Sequence, residues 1–431
     1  MAQLPAAFTE YTRRLMGEER FSSYLRSFDE KPPVSIRLNP RKTGDKRWTA
    51  RDGEAVPWCR NGYYLPRRPN FTMDPLLHAG CYYVQEAASM FLDEVLRQDF
   101  VNGQWIMDNG QGPTGNGQWT MDNGQWLDLC AAPGGKSTLL RAALPDDCTL
   151  YSNEPVRQRA SILAENIAKW GGQNHVVTNC YPRDYRKAKM RFDAILCDVP
   201  CSGEGMFRKD PATIREWSPQ QVEKCWQLQR DIVDDAWACL NDGGLLIYST
   251  CTFNTKENEE NIRYFLEQYD ARLLPVATRP EWNITGSLLE GFDQPVYRFI
   301  PGITRSEGLF LCVLQKDGRL PHEDGKAHKA DKANGVKPYR PYEAYESYKP
   351  MASPTPQAEL TYQQAMAYLR HEALQLPADT PRGIVEVTFM GQPLGPVKNI
   401  GTRANNLYPK EWKVKTTHIA PVYDPVLSPI T

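Results

Sequence analysis

The stretch LDLCAAPGGKSTLL, residues 127–140, decides the fold class. Its pattern is that of a buried strand, a turn of small residues and the start of a helix. Glycines let the backbone approach a ligand, and a helix N-terminus offers free N–H groups to it. The segment GGKST suggests a phosphate-binding loop, but the first glycine of that motif would have to stand at Cys130. Asp128, at the strand end, suits a ligand with cationic or hydroxyl groups better than a triphosphate.

Further apolar runs follow this strand, and amphipathic segments separate them. The candidate strands are residues 126–130, 148–154, 175–180, 192–199 and 244–251. The clearest helix is expected from Ser218 to Leu240, because Ser218 suits an N-cap and Pro219 suits the first helical position. Strands that alternate with helices predict an α/β fold with a doubly wound parallel sheet, whose ligands bind beyond the carboxyl ends of the strands.

Less regular segments flank this core, which is expected over residues 76–316. Residues 1–75 contain a helical start and the basic segment SIRLNPRK. Residues 317–356 are polar, rich in Lys and Pro and without periodicity, and therefore predict a linker. Residues 357–431 return to a globular pattern and predict a small separate α+β domain.

A short exact repeat precedes the first core strand. NGQWIMDNGQ at 102–111 recurs as NGQWTMDNGQ at 116–125. Solenoid repeats need about 20 or more residues per unit, and lengthening a loop costs little closure entropy. We therefore interpret residues 102–125 as a duplication in a surface loop and assign it no function.

Composition limits the class of protein. A chain of 431 residues exceeds one typical core, so two or three domains are expected. No apolar run approaches the roughly 20 residues of a membrane span, and the first residues lack the pattern of a signal peptide. A cytoplasmic protein without membrane contact is expected.

Cysteine usage and charge narrow the class further. The 11 cysteines form no regular framework and predict reduced thiols. Neither they nor the 6 histidines have zinc-site spacing, so no metal is expected. With a net charge of -1, any nucleic-acid surface must be a local patch.

Two apolar runs end in polar clusters built around a cysteine. CDVPCSGEGMF spans 197–207 and YSTCTF spans 248–253, so Cys201 and Cys251 each follow a predicted strand. A free cysteine is often only a small buried hydrophobe, but carboxyl ends of parallel strands share the ligand-binding edge of a sheet. Glu154 ends the second strand, where a nucleoside-binding fold places the carboxylate that holds ribose hydroxyls. An exposed capping acid is the alternative for Glu154.

The longer motifs around these residues are DVPCSGEGMFRKD (198–210) and STCTFNTKENEENI (249–262). Together with the residues above, they resemble the RNA cytosine-5 methyltransferases of the Fmu/Sun (NOL/NOP/sun) family. The resemblance is to the methyltransferase F-like branch, which modifies bacterial 16S ribosomal RNA. SIRLNP and YYVQEAASM are similar to the family's N-terminal and pre-core motifs, and residues 391–412 to its PUA-like RNA-binding domain. The resemblance implies a Rossmann-like methyltransferase core with a small N-terminal α+β domain and a C-terminal PUA-like α+β domain. It also implies 16S rRNA or the small ribosomal subunit as the partner. A monomer is expected.

The resemblance implies S-adenosyl-L-methionine as the cofactor. The residues carried over for its binding are Asp128, Cys130, Ala131, Ala132, Pro133, Gly134, Gly135, Lys136, Glu154, Arg159, Asp184 and Asp198. Asp184 lies several residues beyond Asn179, away from the commonest position of the family's adenine-contacting acid. Arg159 could equally be a solvated helix position.

The same resemblance explains both cysteines. Carbon-5 of cytosine is too weak a nucleophile to take a methyl group directly, so a thiolate first adds to carbon-6 and the resulting enamine attacks the sulfonium methyl. The family's pattern implies Cys251 as the nucleophile and Cys201 as the residue that assists product release. Asp198 would contact the cytosine ring and the cofactor, and the Lys136 ammonium would line the site and lower a thiol pKa. DNA cytosine methyltransferases use the Pro-Cys cysteine as nucleophile, so exchanged roles are the alternative.

RNA contacts are expected at basic residues near both ends of the chain: Arg37, Arg41, Lys42, Lys398, Arg403, Lys410, Lys413 and Lys415. Such cations mainly contact phosphates and do not specify a base. The target cytosine must be unstacked, which favours a loop or a partly assembled subunit over a duplex. The alternatives are a transfer-RNA cytosine methyltransferase and a non-catalytic RNA-binding assembly factor.

Overall fold

The computed structural model describes residues 4–98, 124–318, 336–339, 355–416 and 418–430. The repeat, apart from its last two residues, and most of the expected linker lie outside the described residues.

The first part of the chain forms a small antiparallel sheet beside a bent helix. Its elements are α1 (Ala6–Arg26), β1 (Val34–Leu38), α2 (Pro40–Arg47), β2 (Trp48–Ala50), β3 (Glu54–Ala55), β4 (Gly62–Leu65), α3 (Pro75–His78), β5 (Tyr82–Val84) and α4 (Leu92–Arg97). The strand order is β3-β4-β1-β5. Helix α1 changes direction at Gly17, whose φ of 76° lies in the left-handed region that glycine adopts readily.

The middle of the chain alternates strands with helices. Its elements are β6 (Gln125–Asp128), α5 (Gly135–Ala143), β7 (Thr149–Asn153), α6 (Arg157–Trp170), β8 (His175–Thr178), α7 (Pro182–Lys187), β9 (Phe192–Asp198), α8 (Pro211–Glu216), α9 (Pro219–Cys239), β10 (Leu240–Thr250), α10 (Glu259–Gln268), β11 (Ala271–Leu274), β12 (Tyr297–Phe299) and β13 (Leu309–Lys316). Each of the predicted strands is present and ends slightly before its predicted end, where the polar cluster begins.

These strands form one sheet in the order β11-β13-β10-β9-β6-β7-β8, with β12 paired to β13. Strands β8, β7, β6, β9 and β10 are parallel, and β13 runs antiparallel to its neighbours β10 and β11. The chain leaves β6 toward β7 and β8, then returns to β9 on the other side of β6. This confirms the doubly wound sheet and sets its topological switch point between β6 and β9.

Both faces of this sheet are covered, which explains the continuous apolar runs of its strands. On β9, Ala194 and Leu196 join the core on one face, whereas Ile195 and Cys197 join the core on the other. The Ser218 hydroxyl caps α9 by accepting the Gln221 N–H at 3.1 Å, as the sequence predicts. The strands are thereby packed on both faces, and a ligand site is expected at their carboxyl ends.

The last part of the chain forms a second small sheet that packs against the first part. Its elements are β14 (Gln357–Glu359), α11 (Tyr362–Leu369), β15 (Gly383–Phe389), β16 (Gln392–Asn399), β17 (Ala404–Asn406) and β18 (Leu427–Pro429). Strand β18 pairs with β2, and the Tyr423 hydroxyl donates to Asp74 at 2.9 Å. Apolar side chains of both parts form one core, so the expected separate C-terminal domain shares its core with the N-terminal sheet.

Candidate active site

The small-residue turn after β6 is fixed by its neighbours. The Ala131 N–H donates to the Asn153 carbonyl at 2.8 Å, which ties the turn to the end of β7. The Pro133 carbonyl accepts hydrogen bonds from Asn166 at 2.8 Å and from the Tyr83 hydroxyl at 3.2 Å. Gly134 has φ 113°, so the turn into α5 requires glycine at this position. The N-terminus of α5 therefore faces the ligand edge of the sheet in a defined orientation.

Asp128 ends β6 with one carboxylate oxygen unpartnered. The Ser137 hydroxyl donates to its Oδ2 at 2.6 Å, whereas the fully buried Oδ1 has no hydrogen-bond partner among the described residues. Burial raises the pKa of Asp128 to about 7. A buried polar atom without a partner is costly, so Oδ1 marks a position where a ligand donor would be stabilising.

Glu154 is buried, with 1% of its surface exposed, which excludes an exposed capping acid. Its Oε1 accepts the Val156 N–H at 2.9 Å, and its Oε2 lies 3.2 Å from a guanidinium nitrogen of Arg159. Arg159 also donates to the Ala132 carbonyl at 3.1 Å. Arg159 thus links Glu154 to the small-residue turn, so it is more than a solvated helix position.

Asp184 has a different partner from the other predicted cofactor residues. Its carboxylate accepts the Tyr181 N–H at 2.9 Å and so caps α7. The residue that contacts the Glu154 region is Asn179, whose amide donates to the Glu154 carbonyl at 2.6 Å and the Pro155 carbonyl at 3.0 Å. No described contact joins Asp184 to Asp128 or Glu154.

Lys136 and Asp198 meet across the switch point. The Lys136 Nζ donates to Asp198 Oδ2 at 2.8 Å, and the Ser249 hydroxyl donates to Oδ1 at 2.6 Å. Burial alone would lower the pKa of Lys136, but the Asp198 carboxylate outweighs it and raises that pKa. The site therefore holds a permanent ammonium against a carboxylate that remains a third exposed, at 33%.

The two cysteine loops meet at the same edge. Cys201 Sγ lies 3.1 Å from Cys251 Sγ, and the Cys251 N–H donates to Cys201 Sγ at 3.2 Å. Both cysteines are free and half-buried. The hydrogen bond with Cys251, followed by burial, raises the pKa of Cys201 well above its usual value. Cys201 is therefore held as a thiol that can donate its S–H to Cys251.

Two of the residues expected to contact RNA are not available for it. Arg37 is 2% exposed; it donates to Gln85 Oε1 at 2.8 Å and to Thr138 Oγ1 at 2.6 Å, and lies 4.5 Å from the Trp170 ring centroid. The Lys42 Nζ donates to the Ala79 and Lys169 carbonyls. Both side chains join β1 and α2 to the core, so the expected RNA contacts at Arg37 and Lys42 are wrong.

The remaining basic candidates lie at the surface. Arg41 is paired with Asp146 at 2.5 Å. The C-terminal set is exposed: Lys398, Arg403, Lys410, Lys413 and Lys415. Within the described ranges, none of these five forms an ion pair or a side-chain hydrogen bond. They are therefore the cations that remain available for a polyanion.

Three sequence models of known families match successive parts of the chain. The model of 16S rRNA methyltransferase RsmB/F matches residues 119–315, the N-terminal domain of RsmF matches 4–87, and the RsmF PUA domain matches 355–414. The chain belongs to the RsmB/F methyltransferase family. The RsmB/F model thus covers the doubly wound sheet and both cysteine loops.

Curated relatives of this family carry the name ribosomal RNA small subunit methyltransferase F. The protein of Aliivibrio fischeri strain ES114 is 33% identical over 323 residues, covering 70% of this chain and 62% of its own length. That of Escherichia coli O157:H7 is 32% identical over 332 residues, covering 74% of this chain and 64% of its own length. The chain therefore spans less than two thirds of the length of these relatives.

Two solved structures share this fold at lower sequence identity. A structure titled PH0851 has a TM-score of 0.59 at 22% identity and covers 73% of this chain and 66% of its own. NSun6 from Pyrococcus horikoshii with SFG has a TM-score of 0.56 at 18% identity and covers 73% of this chain and 99% of its own. These likenesses support the fold alone.

Sequence reasoning missed several residues of this RsmB/F-family site. Ser249 holds Asp198, and the buried carboxylates Glu204 and Glu257 lie behind the cysteines. Their signal in the sequence was the position of an acid three residues after Cys201 and six after Cys251. Within the described residues, no helix is long and apolar enough to cross a membrane, and no three metal-ligating side chains cluster.

Proposed function

We propose that this protein is an S-adenosylmethionine-dependent RNA cytosine-C5 methyltransferase that acts on 16S ribosomal RNA through attack of Cys251 on cytosine carbon-6. The observation that carries the proposal is the 3.1 Å approach of Cys251 Sγ to Cys201 Sγ at the ligand edge of the sheet. The family of the chain supports the substrate class, and a cytoplasmic location follows from a ribosomal substrate.

The residues present fit the cofactor. Asp128 Oδ1 is a buried acceptor with no partner among the described residues and suits an ammonium donor. Glu154 is a second buried carboxylate on the neighbouring strand end and suits ribose hydroxyls, and the α5 N-terminus suits a carboxylate. When bound, S-adenosylmethionine supplies an electrophilic methyl group. We assign its binding to Asp128, the turn from Cys130 to Lys136, and Glu154, with Arg159 holding Glu154 in place.

In the proposed reaction the Cys251 thiolate forms a bond to cytosine carbon-6, and the electron pair of the 5,6 double bond makes carbon-5 nucleophilic. After carbon-5 has taken the methyl group, its proton leaves to a base and the sulfur–carbon bond breaks, which restores the double bond and the thiolate. Asp198, held by Lys136 and Ser249, is assigned to contact the ring. The Lys136 ammonium stabilises negative charge at the site.

The assignment of roles to the cysteines follows the family's pattern and is supported by the proton affinity of Cys201. Cys201 has a pKa raised well above its usual value by its hydrogen bond with Cys251 and by burial, so Cys201 remains protonated. A thiol that keeps its proton can stabilise a neighbouring thiolate but is a poor nucleophile. We therefore propose Cys251 as the nucleophile and Cys201 as the residue that assists release of the product.

RNA binding is proposed at the exposed cations of the C-terminal sheet, together with Arg41. The C-terminal cations have no side-chain partner among the described residues and are therefore suited to phosphates, whereas Arg41 would exchange its pairing with Asp146 for a phosphate. Such contacts orient the RNA while the site selects the base. The substrate is proposed to be 16S rRNA as free RNA or in the small subunit, because the cytosine must be unstacked to reach Cys251.

The test is transfer of radiolabelled methyl from S-adenosylmethionine to 16S rRNA, small ribosomal subunits and tRNA. We expect 5-methylcytosine in the ribosomal RNA with the parent protein, no transfer with Cys251→Ala, and a covalent RNA adduct that accumulates with Cys201→Ala. Cys225→Ala, at a buried cysteine on α9, is the matched control and should retain transfer. Methylation by Cys251→Ala would overturn the mechanism, and label in tRNA alone would overturn the substrate.

A further inference from the structure

Each cysteine loop carries a buried carboxylate that accepts backbone N–H groups from the other loop. The Cys201 loop is residues 199–207 and the Cys251 loop is residues 251–258. Glu204, 1% exposed, accepts the N–H groups of Phe253 and Asn254 on one oxygen at 2.8 and 2.9 Å. Glu257, 0% exposed, accepts the N–H of Ser202 at 3.0 Å. The two loops therefore hold each other reciprocally.

The second oxygens of both carboxylates meet at one amide. Asn254 Nδ2 donates to Glu257 Oε1 at 2.7 Å and to Glu204 Oε1 at 3.2 Å, while its Oδ1 accepts the Glu257 N–H at 2.9 Å. Gln229 and Trp217 complete the network by donating to Glu257 Oε2 at 2.7 Å and to Glu204 Oε1 at 3.0 Å. Every oxygen of the two carboxylates thus has a partner, which fixes both side chains.

The backbones of the two loops are also in direct contact. The Gly205 N–H donates to the Cys251 carbonyl at 2.9 Å. A Cβ at Gly205 would lie 2.8 Å from that carbonyl oxygen and 2.6 Å from Gly308 Cα, closer than real Cβ contacts. The separation of the loops is therefore set at both the backbone and the carboxylates.

Two buried carboxyl groups cost more free energy than a purely structural contact between the loops would need. Among the described residues, neither Glu204 nor Glu257 forms an ion pair with Lys or Arg, and burial raises the pKa of Glu257 to about 7. Buried charges without counter-charges cost free energy that apolar packing of the same volume would not. The carboxylates supply directional hydrogen bonds to the residues next to the cysteines, which apolar side chains could not supply.

We propose that Glu204 and Glu257 are positioning residues that set the separation of the two cysteine sulfurs, Glu257 through Ser202 beside Cys201 and Glu204 through Phe253 and Asn254 beyond Cys251. The consequence for methyl transfer rests on the function proposed above. Neither carboxylate touches a reacting atom. Each acts on the reaction only by holding the thiol that the other loop carries.

An amide cannot make the hydrogen bonds of either carboxylate, so the two Glu→Gln substitutions are the variants for the test. Glu257 accepts hydrogen bonds on both oxygens, so Glu257→Gln turns one acceptor into a donor that faces Asn254 or Ser202. Glu204→Gln has the same effect. Asp93→Asn is the control, because Asp93 is a buried carboxylate that pairs with Arg60 and Arg97 and forms no hydrogen bond with either loop among the described residues.

The first measurement reports the geometry without RNA or cofactor. Diamide oxidises two nearby thiols to a disulfide; both thiol protons and two electrons pass to its nitrogen–nitrogen double bond, which becomes a hydrazine. We expect the parent and Asp93→Asn to form the Cys201–Cys251 disulfide at equal rates, since the sulfurs need to approach only to about 2.05 Å. We expect both Gln variants to form it about tenfold more slowly, because each turns one hydrogen-bond acceptor into a donor that faces another donor. Peptide mapping identifies the pair.

The second measurement reports the reaction. Both Gln variants should lower kcat for methyl transfer about tenfold or more, while KM for RNA and for the cofactor stays within about twofold, since no ligand contact is lost. Asn254→Ala keeps both carboxylates, so it should slow disulfide formation and methyl transfer less than the Gln variants do. If a Gln variant does not fold, the rates of Asn254→Ala test the positioning role in its place. Melting temperatures check folding in each case.

The two measurements separate the two proposals. Parent-like disulfide rates in folded Gln variants would overturn the positioning role, whatever the protein catalyses. Slow disulfide formation in these variants, together with a parent that transfers no methyl group, would support the positioning role and overturn the proposed function.

Discussion

The Lys136 ammonium lies 2.8 Å from the Asp198 carboxylate, so the first residues of α5 and the last residue of β9 are joined at the switch point of the sheet. Ser249 at the end of β10 holds the second carboxylate oxygen at 2.6 Å. The helix that follows β6 and the ends of β9 and β10 therefore converge on one carboxylate beside the two thiols. The function proposed for this edge depends on that convergence.

Lys136→Met should reduce the rate of methyl transfer more strongly than Ser249→Ala does. Loss of the ammonium leaves the Asp198 charge without its counter-charge and removes positive charge from the thiol site, so we expect a fall in kcat/KM of about 100-fold or more. Ser249→Ala removes one neutral donor and should cost about tenfold. Steady-state methyl transfer measures both, with calorimetric binding of the cofactor as the control. Equal effects of the two variants would contradict a special role for the ammonium.

Asp128→Asn should remove a pH dependence of stability. The pKa of Asp128 is raised by burial from 3.8 to about 7, so between these values the folded protein holds a proton that the unfolded chain has lost. Stability contributed by this proton is present below pH 4 and is lost as pH rises toward 7, by on the order of a few kcal/mol. The pKa of Glu257, also raised to about 7, adds a slope of the same sign.

The measurement is the difference in denaturant midpoint between the parent and Asp128→Asn at a series of pH values. The difference cancels other titrating groups, including His78 and His175, whose pKa values burial lowers to about 3. The variant should gain stability relative to the parent as pH rises from 4.5 to 7. A difference that does not change with pH would show that Asp128 is ionised throughout this range.

Arg37→Met should destabilise the fold rather than weaken RNA binding. The guanidinium of Arg37 donates to Gln85 and Thr138 and packs over Trp170, so its removal leaves buried acceptors without donors. We expect a loss of about 3 kcal/mol in the free energy of unfolding. Urea unfolding measures it, and Lys410→Ala, at an exposed position, should change stability by less than about 0.5 kcal/mol. A parent-like Arg37→Met would contradict the buried network.

The contrast between Arg37 and Cys251 indicates what a sequence can and cannot predict here. Cys201 and Cys251 were expected together because each follows a parallel strand, and carboxyl ends of parallel strands share one edge. Arg37 was misassigned because a basic residue in a polar segment is usually exposed. Its burial depends on Thr138 and Trp170, more than a hundred residues away in the chain.

The same limit applies to the carboxylates behind the cysteines. Glu204 and Glu257 stand in acidic, polar segments, where an exposed position is the ordinary expectation. Their spacing from the two cysteines marks them in the sequence, but their burial follows from the approach of two loops that are distant in sequence, which local patterning does not show. Asp184 shows the opposite case: Tyr181 and Pro182 just before it make it a helix-capping acid, a local role that the comparison with family motifs obscured.

The C-terminal cations should account for part of the salt dependence of RNA binding. Lys410, Lys413 and Lys415 are exposed and without side-chain partners in the described ranges, so each can displace a counterion from a phosphate. Each single-stranded phosphate contact contributes about 0.7 to the slope of log K against log salt concentration. Replacing all three lysines by Ala should therefore weaken binding to 16S rRNA and reduce the magnitude of that slope by about 2. Filter binding from low to moderate salt measures both quantities.

The matched control is Lys187→Ala with Lys189→Ala, at exposed lysines around the end of α7 that are outside the predicted RNA surface. This control should leave the slope unchanged, and a parent-like slope in the triple variant would remove the C-terminal sheet from the RNA interface without touching the chemistry assigned to Cys251.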